Sequence, residues 1–216
     1  MKRFVIIAVL LVSGILTASA QLFVGGGLNV GFTGGKFDNG TVEYDKSSSF
    51  TFGLSPKVGY YLTEVIAVGA KFSFYTNSTT YFKGSPFYTE DTKHSDTNWS
   101  FGVFGRYGLI GNDNLLLSLE GGPSYGISSS KTKTGDADPV KSKITTNTID
   151  FVVYPVLNYR LSDLLSVEAT CNFLGLGYVL ASQKDEDNSD LKNTTSGFAL
   201  GLNNTSAVSV GLLFKF

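Results

Sequence analysis

The sequence has one cysteine, one histidine, one tryptophan and five prolines, and after residue 20 it has no long apolar run. The lone cysteine, Cys171, cannot close an internal disulfide, so backbone pairing and packing must hold the fold. No stretch beyond residue 20 reaches the roughly 20 apolar residues of a membrane-spanning helix. The formal charge is only −1, and no basic stripe of the kind that holds nucleic acid is present, which excludes that partner. What the chain does have is 17 phenylalanines, 11 tyrosines and 25 glycines, the composition of strands joined by tight turns.

The N-terminus stands apart. Met1–Lys2–Arg3 is basic, Phe4–Leu16 is a short apolar run, and Thr17–Ala18–Ser19–Ala20 ends in a small-x-small cleavage pattern. Residues 1–20 are therefore expected to be a cleaved signal peptide and residues 21–216 the mature domain. Losing Lys2 and Arg3 removes two positive charges and takes the formal charge from −1 to −3.

The clearest pattern lies in Ser49–Thr76. Even positions such as Phe50, Phe52, Leu54, Val58, Ile66, Val68 and Phe72 are apolar. Odd positions such as Thr51, Gly53, Ser55, Lys57, Gly69, Lys71 and Ser73 are small, polar or charged. Period two with one apolar face, broken at Leu62–Thr63–Glu64–Val65, predicts an antiparallel hairpin. The same unit recurs. Further strands are expected over Leu22–Thr33, Asn98–Ile110, Leu115–Ser128, Asn147–Leu161 and Leu164–Val179, with a last one ending at Phe216 and an extension over Ser196–Asn203. Polar loops are expected at Gly34–Ser48, Asn77–Thr97, Ser129–Thr146 and Ala181–Thr195; the third carries Lys131, Lys133, Asp136, Asp138, Lys141 and Lys143.

Three features put lipid, rather than a dry core, against the apolar face. That face carries no charge in any strand, and a charge at the bilayer midplane costs about 2–4 kcal/mol. Its aromatics gather at two levels, Tyr60, Tyr107 and Tyr159 at one and Phe32, Phe50, Phe74, Trp99, Tyr125 and Phe151 at the other. Short turns alternate with long polar loops, as in barrels with short periplasmic and long external connections. The expected fold is all-β: an eight-stranded antiparallel up-and-down transmembrane β-barrel. Pro56, Pro123 and Pro155 interrupt strands of a sheet with no edge, which predicts a bulge or a wide ladder spacing at each.

The signal peptide, SPKVGYYLTEVIAVGAKFSF, SLEGGPSYG and the terminal VGLLFKF together resemble the eight-stranded outer-membrane barrels of the OmpA/OmpX type, in the form called the outer-membrane-protein β-barrel domain. The resemblance covers the whole mature chain. It implies a monomeric protein of a Gram-negative outer membrane in contact with outer-membrane lipid and lipopolysaccharide. It also implies that Phe216, with apolar residues at alternate positions before it, is read by the barrel-assembly machinery.

An eight-stranded bore is narrow enough to be filled by side chains. Inward positions carry Lys57, Lys71, Arg106, Glu120, Asp150, Arg160 and Glu168, expected to form a structural ion-pair network with tyrosines that include Tyr61, Tyr75, Tyr154 and Tyr178. The leading functional expectation is a barrel displaying four polar loops for structural, adhesion or ligand contact. A narrow or gated pore is the alternative, and a lipid A-modifying enzyme the third. No cofactor is expected. Asp185, Asp187 and Asp190 are weak calcium candidates, lacking the glycine and distal glutamate of a calcium loop. His94 stands beside Ser95 and Asp96, but triad partners converge in space rather than in sequence, and no His–Ser pair at the rim is legible, so no enzyme is expected.

Overall fold

A computed structural model describes residues 22–38, 43–83, 90–112, 114–135, 140–171, 175–185, 192–200 and 208–216. The expected signal peptide lies outside the described residues. Ten strand segments are described: β1 (Leu22–Asp38), β2 (Glu43–Tyr61), β3 (Ile66–Tyr81), β4 (Thr92–Gly111), β5 (Leu115–Thr134), β6 (Val140–Arg160), β7 (Leu165–Cys171), β8 (Leu176–Asp185), β9 (Lys192–Leu200) and β10 (Val208–Lys215). β7 and β8 both pair with β6, and β10 pairs with β7 while β9 pairs with β8, so the ten segments make eight spans. β1 pairs with β10 across Phe23–Gly26 and closes the antiparallel barrel.

The short connections are built as the residues predict. Thr63 Oγ1 accepts from the backbone N–H of Val65 and Ile66 at 3.3 and 3.0 Å. Asn112 Oδ1 accepts from those of Asn114 and Leu115 at 3.0 and 2.9 Å, an Asx-type turn. At the same end the Phe216 N–H donates to the Leu22 carbonyl at 2.8 Å, tying the last residue to the first strand.

Side-chain exposure follows the period of two. Along β4, Phe101, Val103, Tyr107 and Leu109 are exposed, while Gly102, Phe104, Arg106 and Gly108 are buried. Leu54, Val68 and Leu119 are likewise exposed, so the apolar face lines the outside of the cylinder. Its aromatics touch in rows, Phe32 on Phe50 at 4.9 Å and Phe74 on Trp99 at 4.5 Å between ring centres.

Three expectations need correction. The long connections are largely strand: β1 to β6 run 16 to 21 residues, where about 11 would cross the apolar band. Segments such as Asn77–Tyr81 and Thr92–Thr97 have no apolar face, so they show no period. They are rich in threonine and serine and pair through their backbones. The extension expected over Ser196–Asn203 belongs to β9, which starts earlier at Lys192; residues 201–203 lie outside the described residues.

The seventh span is also not one regular strand. Between Val156↔Thr170 and Val153↔Leu176, β6 moves by three residues while its partner advances by six. An odd excess flips every later side chain to the other face. Tyr178 therefore stands directly opposite the outward Phe151 and packs on Phe198 at 5.6 Å, outside the barrel rather than in its bore.

At Pro56 and Pro123 the ladder lapses on one side only. β2–β3 pairing skips from Leu54↔Phe74 to Lys57↔Lys71, and β4–β5 pairing from Gly102↔Ser124 to Gly105↔Gly121, each resuming in the same register. These are gaps where a donor is missing, not bulges. Pro155 lies where β6 changes partner from β7 to β8. Opposite Pro56 the chain passes Gly26 at φ +152, where a Cβ would lie 2.5 Å from the Ser55 carbonyl oxygen, so only glycine fits.

Candidate functional site

Four charged side chains converge in the half of the bore nearest the short turns. Arg106 and Glu120 are directly opposite each other on β4 and β5; Lys57 comes from β2 and Glu168 from β7. Arg106 Nε donates to Glu120 Oε2 at 3.1 Å, and its Nη2 donates to Glu168 Oε2 at 2.6 Å. Lys57 Nζ donates to Glu120 Oε2 at 3.2 Å and also to Glu168 Oε1. Tyr154 OH donates to Glu120 Oε1 at 2.8 Å. Two cations thus share two carboxylates, and the guanidinium and the Glu120 carboxylate are each about 1% exposed. Charges this dry survive only when paired and hydrogen-bonded.

Aromatic rings pack against these cations. Phe23, Ala67, Phe104 and Leu213 form a buried apolar cluster with Tyr61 beside it. Arg106 lies 5.5 Å from the Phe23 ring centre, Lys57 5.8 Å from that of Phe104, and Lys215 4.5 Å from that of Tyr61. Room for the rings comes from a cross-strand glycine pair, Gly59 and Gly69. A Cβ on Gly59 would lie 2.2 Å from Phe23 Cζ, and one on Gly69 2.4 Å from Phe104 Cζ. Sequence reasoning left Phe23 unassigned and did not join Phe104 to Leu213. The signal available was two large apolar residues at inward positions beside inward glycines.

The other expected members stand apart from this cluster. Lys71 reaches it only through Tyr154, donating to the phenol oxygen at 3.3 Å. Asp150 accepts from Ser124 Oγ at 2.5 Å. Arg160 is not in the bore network: at the last position of β6 it turns back to Asp163 in the adjoining turn, where both are solvated. Lys71 and Asp150 face a cavity of about 410 Å³ that also touches Ser55, Ser73, Ser100 and Thr170. Lys71 stands level with Lys57, but Ser55 lies beyond Lys57, Ser100 beyond Arg106 and Thr170 beyond Glu168 as counted from the short turns, so the cavity sits on the long-hairpin side of the cluster.

Beyond the cavity the inner wall is lined with hydroxyls and amides. Asn77 Oδ1 accepts from Ser49 and Thr51 at 3.0 Å each. The His94 Nδ1 is 3.0 Å from Thr132 Oγ1, and its Nε2 is 3.1 Å from Asp96 Oδ2 and 3.4 Å from Ser130 Oγ. Ser130 also donates to Asp96. A histidine–serine approach therefore does exist near the rim, contrary to expectation. It was hidden because its partner is Ser130 across the ladder, not the adjacent Ser95. Asp187 and Asp190 lie outside the described residues, and Asp185 ends β8 opposite Ile144. Among the described residues no three histidine, cysteine or acidic side chains converge on a metal-sized site.

The family profile described as "outer membrane protein beta-barrel domain" matches residues 5–203. Among solved structures, a major outer membrane protein from Thermus thermophilus superposes with a TM-score of 0.51 at 14% identity, covering 92% of this chain and 100% of that one. Neisserial surface protein A (NspA) superposes with a TM-score of 0.35 at 15% identity, over 91% of this chain and 96% of its own. Ail, the attachment invasion locus protein of Yersinia pestis, gives 0.38 at 11% identity, over 91% and 97%. No curated protein matches the sequence. Identities this low speak to the fold alone.

Proposed function

The chain belongs to the outer membrane protein beta-barrel domain family, and from that premise we propose that it is an integral barrel whose bore is filled by its own side chains and whose polar hairpins offer a contact surface outside the cell. On this reading residues 1–20 are removed on export and the mature barrel is a monomer. The observation that carries the filled bore is the buried meeting of Lys57, Arg106, Glu120 and Glu168 against the rings of Phe23 and Phe104. Ion pairs supported on two sides by rings leave no continuous wet path, because a water file would need polar partners where aromatic carbon stands. The contact role rests on strands that run far past the apolar band and end in serine-, threonine- and lysine-bearing hairpins.

Planar-bilayer recording of the refolded barrel tests the first half. No steady conductance is expected, and a large, stable open level would instead favour the pore reading. For the second half, the intact barrel is compared with one whose hairpins are shortened to the apolar band, measuring binding to matrix proteins and bacterial-surface glycans. Saturable binding lost on shortening is expected; equal binding by both would refute a role for the hairpins.

A further inference from the structure

The charges of the turn-side cluster balance among themselves, Lys57 and Arg106 against Glu120 and Glu168. Two inward charges are left over. Lys71 of β3 and Asp150 of β6 have no ion-pair partner among the described residues, each other included. Lys71 Nζ rests on Tyr154, donating to its phenol oxygen at 3.3 Å and lying 5.2 Å from its ring centre. Tyr154 is itself anchored to Glu120, so the ammonium is held on a fixed support. Asp150 is held in the same manner by a neutral group, the Ser124 hydroxyl at 2.5 Å. An ammonium carries three donors and a carboxylate two acceptor oxygens, so each spends only part of its bonding capacity on the chain.

Register sets the two charges on one row. Lys71 stands opposite Gly102, Gly102 opposite Ser124, and Ser124 opposite Asp150. Three strand spacings of about 4.8 Å therefore separate their backbones along the curved wall. The residues between them, a glycine and a serine, are too small to fill the gap. Both charges face the cavity of about 410 Å³, and the rest of its wall includes Ser55, Ser73, Ser100 and Thr170. Its floor is the ion-pair cluster, with Phe23, Phe104 and Leu213 buried behind. The cavity is thus a cup with a closed floor, and a solute reaches it from the long-hairpin end.

Opposite charges held apart on one row decide what fits between them. A lone anion gains at Lys71 but is repelled by Asp150 and by Glu120 at the floor. A lone cation gains at Asp150 but meets Lys71 and, directly opposite it, Lys57. A molecule that carries both signs gains at both ends and suffers neither repulsion in full. The hydroxyls suit a polar body, and the volume falls within the roughly 300–1,000 Å³ of small-molecule sites.

We propose that this cup is a binding site for a small zwitterion, with its carboxylate on Lys71 and its ammonium on Asp150. The site lies inside the barrel, goes beyond the hairpin contacts, and needs no conduction because the cluster closes its floor.

The test uses the full barrel, refolded in nonionic detergent with isotope-labelled lysine, so that the Lys71 signal is followed by NMR and assigned from Lys71→Met. Glycine, β-alanine and γ-aminobutyrate are titrated in parallel with acetate and methylamine. At least one zwitterion is expected to shift the Lys71 signal saturably and to bind about tenfold tighter than acetate or methylamine. Lys71→Met and Asp150→Asn, with folding checked by heat-modifiable gel mobility, should each weaken that binding about tenfold. Lys93→Gln, outside the bore, should leave it unchanged. No saturable shift with any zwitterion, acetate or methylamine binding as tightly as the best of them, or undiminished binding in either folded variant would each overturn the proposal. Selectivity among the solutes is read on the unsubstituted barrel, so it decides the matter even where a variant fails to fold.

Discussion

The two halves of the bore solve the same problem in opposite ways. Near the short turns the inward groups are large and charged, held by ion pairs and rings, and nearly dry. Toward the long hairpins they are mostly small hydroxyls and amides that bond to one another in pairs, and the one imidazole–carboxylate pair described there, His94 and Asp96, stays 39% and 38% exposed. Dry charges must be paired and cost a great deal to break; wet hydroxyls exchange with water and cost little. The turn-side half therefore secures the barrel, and the outer half leaves the strands free to vary in what they present.

The sharpest way to break the contrast is to remove one carboxylate from the dry half. Glu120→Leu leaves Lys57 and Arg106 sharing Glu168 alone, and should lower the unfolding free energy by about 3–5 kcal/mol in urea titrations of the lipid-inserted barrel. Taking the pair out together, Arg106→Met with Glu120→Leu, should restore most of that loss, because two apolar groups replace two buried charges. A double variant as weak as the single one would show that hydrogen bonds to Tyr154, not charge balance, hold the cluster. Next in size is Gly59→Val, which drives a branched side chain into the Phe23 ring and should cost about 1–3 kcal/mol; pairing it with Phe23→Ala should recover part of this. In the wet half, Asp96→Asn should change stability by less than about 1 kcal/mol by the same titration, since His94 and Ser130 both keep access to water. A loss as large as that of Glu120→Leu would erase the distinction between the halves.

Much of this was legible in the sequence wherever an apolar face drew the period. The hairpin of β2 and β3, the outward row Phe101, Val103 and Tyr107, and the inward Lys57, Arg106, Glu120 and Glu168 all follow from alternation. The period vanished where both faces are polar, so the outer halves of β3 to β6 read as loops although threonine-rich backbone pairs well there. Alternation also failed across the break between β7 and β8, because an odd excess of residues reverses the faces and moves Tyr178 outward. Arg160 had the right parity but sits at a strand end, where a nearby acid in the turn is closer than anything in the bore. Contacts across the bore, such as Arg106 of β4 with Glu168 of β7, depend on the stagger of the barrel, which no single strand records.

The whole account depends on lipid touching the outer face, and the single tryptophan reports on it directly. Trp99 is half exposed on that face, against Phe72 and Phe74. In vesicles made with brominated phospholipids its fluorescence should be strongly quenched, most by bromines placed near the headgroup end of the acyl chain, while aqueous iodide has little effect. Strong quenching by iodide with no response to brominated lipid would place that face in water and contradict the account.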